Sequence, residues 1–201
     1  SSDVCSSDLR VSLGIQSFND EHLKSLGRIH NSLDAKKGIE IAMQHFNEVN
    51  LDLMYALPHQ TLDEAISDAK TAVSFNTKHL SFYHLTIEPN TFFFKHPPKL
   101  PLDDESAVMQ ETIEAILSEH GYKHYETSAF AKPKSECQHN LNYWQFGDYL
   151  GIGAGAHSKL TFHDKISRES RYKNPKQYIE KVNTQNRSEE HTSELQSPCN
   201  L

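Results

Sequence analysis

Residues 50–87 read NLDLMYALPHQTLDEAISDAKTAVSFNTKHLSFYHLTI, and the order of patterns in this stretch decides the fold. Leu51, Leu53 and Tyr55 alternate with Asn50, Asp52 and Met54, the period of two expected of a strand with one apolar face. Residues 61–64, TLDE, form a capping box, and Leu62, Ala65, Ile66, Ala69 and Val73 then recur at helical spacing. Residues 79–87, HLSFYHLTI, return to aromatic and β-branched composition and predict a further strand. A strand, a helix and a strand in direct succession form a βαβ unit, whose two strands run parallel.

The same alternation extends upstream. In residues 10–18, RVSLGIQSF, Val11, Leu13 and Ile15 face one way and Ser12, Gly14 and Gln16 the other. Residues 34–46 place Ala35, Ile39, Ala42, Met43 and Phe46 on one helical stripe. Downstream the character changes. Residues 91–101 hold three Phe and three Pro and predict a loop. Residues 103–120 predict a helix with Val108, Ile113, Ile116 and Leu117 inward, stopped by Gly121. Residues 122–130 alternate like one strand, and residues 149–157 read as a strand thinned by glycine. Residues 167–186 are polar and basic, with a short helix expected near residues 177–182.

The two ends read differently from everything between them. Residues 187–197, RSEEHTSELQS, back-translate to a sequencing-library adapter. The reverse complement of that adapter, in another frame, gives SSDVCSSDL, which is residues 1–9. Residues 1–9 and 187–201 are therefore expected to be adapter translation and are set aside from fold reasoning. The remainder is expected to divide into βα units over residues 10–100 and an extension over residues 101–186. Setting aside five acids and one arginine at the ends takes the net charge from −7 to −3. A mildly acidic balance gives no footprint for nucleic acid. No apolar run is long enough to span a bilayer. Cys137 is the single cysteine between the ends, so neither a disulfide framework nor a cysteine metal cluster forms within the segment.

Two groups of residues carry candidate chemistry. In a closed α/β barrel the apolar strand faces meet outer helices, while the lumen and the C-terminal strand ends hold the site. Gln16, Asp52 and Thr86 fall near the ends of three successive strands. An amide, a carboxylate and a hydroxyl on one rim can hold the ribose and amino-acid parts of a nucleoside cofactor, or each can pair internally and fix strand register. Arg28, in GRIH, can reach a carboxylate or phosphate, or stand as a surface arginine. The second group is HNLNYW, residues 139–144, followed by DYLGIGAGAH, residues 148–157. A histidine, two amides, a tyrosine and the only tryptophan suit a flat aromatic ligand carrying a metal, or a polar loop whose aromatics cap a core. GIGAGAH has the spacing GxGxG rather than GxGxxG, which argues against a dinucleotide fold. Cys137 is a soft ligand or a small buried hydrophobe.

Taken in order, RVSLGIQSF, LGRIH, NLDLMYALPHQT, LSFYHLTIEPNT, PLDD, YETSAFAKP, CQHNLNYW and DYLGIGAGAH resemble the radical S-adenosylmethionine proteins of the HemW type. These are heme chaperones related to HemN, the oxygen-independent coproporphyrinogen III oxidase or dehydrogenase. The resemblance implies an α/β fold, a partial radical SAM barrel of (β/α)6 type lacking its first strands, with a mixed α+β extension. It implies S-adenosylmethionine, a [4Fe–4S] cluster and heme as cofactors. The implied partners are acceptor hemoproteins such as respiratory-chain enzymes, in the cytoplasm. Gln16, Arg28 and Asp52 match S-adenosylmethionine contacts of HemN-like relatives, with Thr86 and His157 matching through backbone or near-backbone contacts. His139 matches the histidine implicated in heme attachment, and Tyr143 and Trp144 complete its motif. The alternative activity is radical decarboxylation of coproporphyrinogen III to protoporphyrinogen IX, and HNLNYW favours the chaperone. The family's CxxxCxxC cluster motif is absent from the chain, which alone is expected to be inactive.

Overall fold

The computed structural model describes residues 10–183 and 189–194, with side chains through residue 181. Of the stretches read as adapter, residues 1–9, 187–188 and 195–201 lie outside the described residues. The chain separates into two compact units, one running to Glu136 and the other starting at Cys137.

The first unit follows the strand–helix alternation. Its elements are β1 (Arg10–Gln16), α1 (Asp20–Ser25), α2 (Ser32–His45), β2 (Glu48–Tyr55), α3 (Leu62–Ser74), β3 (His79–His84), α4 (Phe92–Lys95), α5 (Asp103–Glu119), β4 (Lys123–Glu126) and β5 (Ala129–Ala131). One sheet has the order β1-β2-β3-β5-β4. β1, β2 and β3 are mutually parallel, while β5 runs antiparallel to β3 and to β4.

Each helix starts where its sequence dictates. Asn31 caps α2 and Thr61 caps α3, each in a reciprocal capping box with Asp34 or Glu64. Ile39, Leu51, Leu53, Leu80, Ile113 and Leu117 are among the largest fully buried side chains. They join stripes of α2, α3 and α5 to the apolar face of the sheet in one core. Truncating Leu53 to alanine in such a core costs about 2–5 kcal/mol. The sheet's other face carries Ser12, Gly14, Asn50, Asp52, His79 and Ser81 in register. It is there that the candidate residues of the first three strands lie.

The second unit contains α6 (Gln138–Trp144), β6 (His157–Thr161), β7 (Lys165–Ser170), α7 (Pro175–Asn183) and β8 (Glu189–Glu194). Its strands form an antiparallel sheet in the order β6-β7-β8, and β8 falls within the stretch read as adapter translation.

Several local expectations change. Residues 122–130 form not one strand but two short ones, because the chain turns at Thr127 and Ser128 and the register shifts between His124 and Glu126. Residues 149–157 are mostly loop: Tyr149 makes an isolated bridge to Lys159, and Gly153 and Gly155, at φ +102° and +75°, bend the backbone away from a strand. The residues of HNLNYW wind into α6 rather than a loop. The predicted loop at residues 91–101 contains the single turn α4, capped by Thr91.

Candidate functional site

The first candidate site is built on the end of β1. Gln16 ends that strand at φ +68° and is 9 % exposed. A left-handed non-glycine residue is held there only if its surroundings over-determine it. The following residues supply that hold. Fully buried Ser17 donates its hydroxyl to Asp68 Oδ2 at 2.7 Å, and the Phe18 N–H donates to Asp68 Oδ1 at 2.8 Å. The Asn19 N–H donates to Ser17 Oγ at 3.0 Å, and the Asn19 amide donates to Glu64 at 3.2 Å. Burial pushes the Asp68 carboxyl above its ordinary range, against the pull of its Ser17 and Phe18 donors. Asp68 was not visible as a site residue in the sequence. Its one signal is a carboxylate placed beside Ala69 on the buried side of α3.

Gly14 brings the next two residues together. A Cβ at Gly14 would lie 3.0 Å from Gln16 Nε2, so the Gln16 side chain folds back over this glycine. Gly14 is in register with Asp52, and Asp52 with Ser81. The Gln16 amide therefore lies over the row that holds the Asp52 carboxylate. Asp52 Oδ1 accepts from Asn50 Nδ2 at 2.7 Å. Burial raises the Asp52 pKa from the ordinary carboxylate range, opposed by hydrogen bonds from Asn50 and Ser81.

Thr86 stands farther out. It lies two residues beyond the end of β3, is exposed, and bonds only weakly to the His84 carbonyl at 3.5 Å. It lines a cleft of about 480 Å³ with Lys24, Gly27, Glu88, Thr91 and Phe92. Arg28 follows Gly27 directly and is exposed, its N–H donating to the Leu23 carbonyl at 2.9 Å. Gln16 and Asp52 thus share one place, and Thr86 and the turn before Arg28 share another.

The second candidate site lies in the other unit. α6 presents His139, Tyr143 and Trp144 to solvent, with Tyr143 56 % and Trp144 64 % exposed. His139 and Tyr143, four residues apart, share a helix face. Cys137 Sγ lies 2.9 Å from His139 Nδ1, which leaves Nε2 on the outer edge of the ring. Exposed Phe146, Leu150 and Ile152 continue the apolar surface along the following loop. Clustered exposed apolar side chains of this kind mark a binding surface.

That loop is held rigidly. Buried Lys159 donates to the Phe146 carbonyl at 2.9 Å, to Asp148 Oδ1 at 3.0 Å and to Thr161 Oγ1 at 2.9 Å. Its ammonium also sits 4.0 Å from the centre of the Phe146 ring. Asp148 accepts from the Thr161 N–H and hydroxyl as well, and these bonds with Lys159 lower its pKa to about 2. Gly151 packs where a side chain would overlap the backbone of His157. His157 opens β6, exposed, with Nδ1 2.9 Å from Ser170 Oγ. The clamp of buried Lys159 on exposed Asp148 has no signal in the sequence, where both look like ordinary surface charges.

Over 173 residues the chain is 52 % identical to "Heme chaperone HemW" of Haemophilus influenzae and 50 % identical to the protein of the same name from Escherichia coli. The chain is thus a homologue of proteins named heme chaperone HemW. Each alignment covers 85 % of the chain but only 45 % or 46 % of the relative, so the chain spans about half the length of the curated relatives it matches. A mitochondrial radical S-adenosyl methionine domain-containing protein 1 of Dictyostelium discoideum is 36 % identical, over 87 % of this chain and 44 % of its own length. Among solved structures, HemN of Escherichia coli, described as a radical SAM enzyme, superposes with a TM-score of 0.73 at 23 % identity, over 93 % of this chain and 46 % of that one. That likeness shows the α/β fold with its parallel strands. No protein-family model matches the chain.

Among the described residues, no three His, Cys, Asp or Glu side chains gather as a metal site. The described residues therefore do not fit an iron–sulfur cluster. None of their helices is long and apolar enough to cross a membrane.

Proposed function

We propose that the chain is part of a longer radical SAM heme chaperone, which binds heme and hands it to hemoproteins such as respiratory-chain enzymes in the cytoplasm. The carrying observation is the outward-facing His139–Tyr143–Trp144 surface, in a chain half identical to proteins named heme chaperones. Heme held through a histidine needs an accessible ring nitrogen and a flat apolar bed. α6 and residues 146–152 supply both. His139 Nε2 is the nitrogen toward iron, with Cys137 on the far side of the ring.

In the same reading β1–β3 belong to a radical SAM barrel of (β/α)6 type, completed by strands outside this chain. Gln16, Asp52, Arg28 and Thr86 take up S-adenosylmethionine. The donor set suits it: the Asp52 carboxylate accepts from hydroxyl or ammonium groups, the Gln16 amide offers both roles, and the cleft beside Thr86 sets the apolar Leu26, Phe92 and Phe93 among polar side chains. A [4Fe–4S] cluster would be held by cysteines outside this chain and would cleave S-adenosylmethionine reductively. No step of that chemistry falls to the residues described here.

Two assays on the full-length, cluster-loaded protein test this reading. Heme transfer to an apo-hemoprotein, followed by its absorption spectrum, is expected. Conversion of coproporphyrinogen III to protoporphyrinogen IX without heme transfer would replace the chaperone with a dehydrogenase.

A further inference from the structure

The polar face of the sheet holds more than the proposed S-adenosylmethionine contacts. Ser12, Asn50 and His79 form one cross-strand row, and Gly14, Asp52 and Ser81 form the next. Asn50 is the hub of both. Its Nδ2 donates to Asp52 Oδ1 at 2.7 Å and to Ser12 Oγ at 3.0 Å. Its Oδ1 accepts from His79 Nδ1 at 2.7 Å and lies 3.2 Å from the Ser81 hydroxyl, whose one proton is shared between Asn50 and Asp52. His79 Nε2 lies 2.7 Å from Tyr125 Oη on β4. Asn50, His79 and Ser81 are only 3–4 % exposed, whereas Asp52 is partly exposed.

With Asp52 ionised and His79 carrying a single ring proton, the hydrogens in this network have one assignment. An ionised carboxylate only accepts, so the Asn50 NH2 must face Asp52. The Asn50 oxygen then faces His79, which places the histidine's proton on Nδ1. His79 Nε2 keeps a lone pair, so the Tyr125 hydroxyl must donate to it. Direction therefore runs from Tyr125 through His79 and Asn50 to Asp52. Reversing the Asn50 amide would set an oxygen against the Asp52 carboxylate and an NH2 against the Nδ1–H. A buried network with every member satisfied holds its side chains in one arrangement.

We propose that Asn50, held by His79 and Tyr125, is the positioning residue of the S-adenosylmethionine site. It fixes the Asp52 carboxylate in one rotamer before the cofactor arrives, so the cofactor meets a preset acceptor rather than ordering one. Supporting hydrogen bonds of this kind are what make a binding group rigid enough to select its ligand. The inference rests on the reading of Asp52 as a cofactor contact. It adds the claim that the affinity of that contact is set by side chains that do not touch the cofactor.

The test is a double-mutant cycle in the full-length, cluster-loaded protein, read by equilibrium dialysis of labelled S-adenosylmethionine. Asn50→Leu, which keeps the volume and removes the amide, is expected to weaken binding about tenfold to a hundredfold, the range for losing a hydrogen bond to a charged group. In an Asp52→Ala background the same substitution is expected to change nothing, because Asn50 acts only through Asp52. Wild-type affinity for Asn50→Leu overturns the inference, and so does an equal loss in both backgrounds, which is what general damage to the sheet produces. Binding that survives Asp52→Ala intact removes the reading of Asp52 itself, and this inference with it. A second measurement needs no cofactor. Nitrogen-15 spectra of wild type are expected to show His79 protonated at Nδ1; Asn50→Leu, which removes the acceptor there, is expected to spread the proton over both nitrogens, while Tyr125→Phe is expected to leave it on Nδ1 and to move the Asp52 carboxyl carbon signal. An Asp52 signal unmoved by either Tyr125→Phe or Asn50→Leu overturns the directed network, whatever the binding data give.

Discussion

Asp68 holds the loop that sets Gln16, and a double-mutant cycle with Ser17 measures how strongly. The Asp68 carboxylate takes the Ser17 hydroxyl at 2.7 Å and the Phe18 N–H at 2.8 Å, with Ser17 fully buried. Asp68→Ala leaves two donors without that partner, at about 1–3 kcal/mol for each buried donor left unsatisfied. Two effects reduce the sum. Ser17 Oγ still accepts from the Asn19 N–H, and the substitution relieves the burial that raises the Asp68 pKa. A net loss of about 2–4 kcal/mol follows. Ser17→Ala removes one of the two bonds, and the coupling between the two substitutions is expected at about 1–2 kcal/mol. The pH dependence has a definite sign. A carboxyl whose folded pKa is raised contributes stability below its unfolded pKa, and that contribution is lost as pH rises through the folded value. The Asp68→Ala penalty should therefore be larger at pH 4 than at pH 8. Hydrogen exchange at the Leu51 and Leu53 amides, within buried β2, reads the opening of this unit directly. A coupling below about 0.5 kcal/mol would refute the anchor, because that is the scatter expected of independent sites.

Other predictions concern single positions. Gly38 lies in the middle of α2 with nothing within 4 Å of an added Cβ, so Gly38→Ala should stabilise the chain by about 0.5–1 kcal/mol in urea unfolding. Asp148, with its pKa lowered to about 2, contributes stability above its unfolded pKa of 3.8 that is lost as pH falls toward 2. Acid titration followed by Trp144 fluorescence should show that loss in wild type and not in Asp148→Asn. Cys137→Ala removes the sulfur 2.9 Å from His139 Nδ1, and heme affinity in the full-length protein should fall about tenfold, as when the outer partner of a metal-bound histidine is lost. An unchanged Soret titration would separate Cys137 from the heme site.

The parallel core was legible because its signals are local and redundant. Alternation in β1 and β2, the TLDE capping box and the stripe of α3 each point to the same βαβ order, and the structure agrees with all of them. The polar faces of the same strands singled out Gln16 and Asp52, which lie together at Gly14. Thr86 was read at the same depth, yet it lies beyond the strand, because β3 ends at His84. The antiparallel additions were harder to see. β4 and β5 are four and three residues long, and the turn at Thr127 and Ser128 carries no glycine or proline to mark it. β7, KISRES, is mostly polar and was not read as a strand, since one buried residue, Ser167, gives it no apolar face. The Asn50 hub was invisible for a different reason. Asparagine, histidine and tyrosine on three strands announce nothing singly, and only the strand register places them in one network.

The most direct test of the account is heme titration of the full-length protein, wild type against His139→Ala, followed by the Soret band. The account predicts saturable binding by wild type and loss of most of that affinity in His139→Ala, with the fold of α6 retained. Equal heme retention by the two proteins would contradict it.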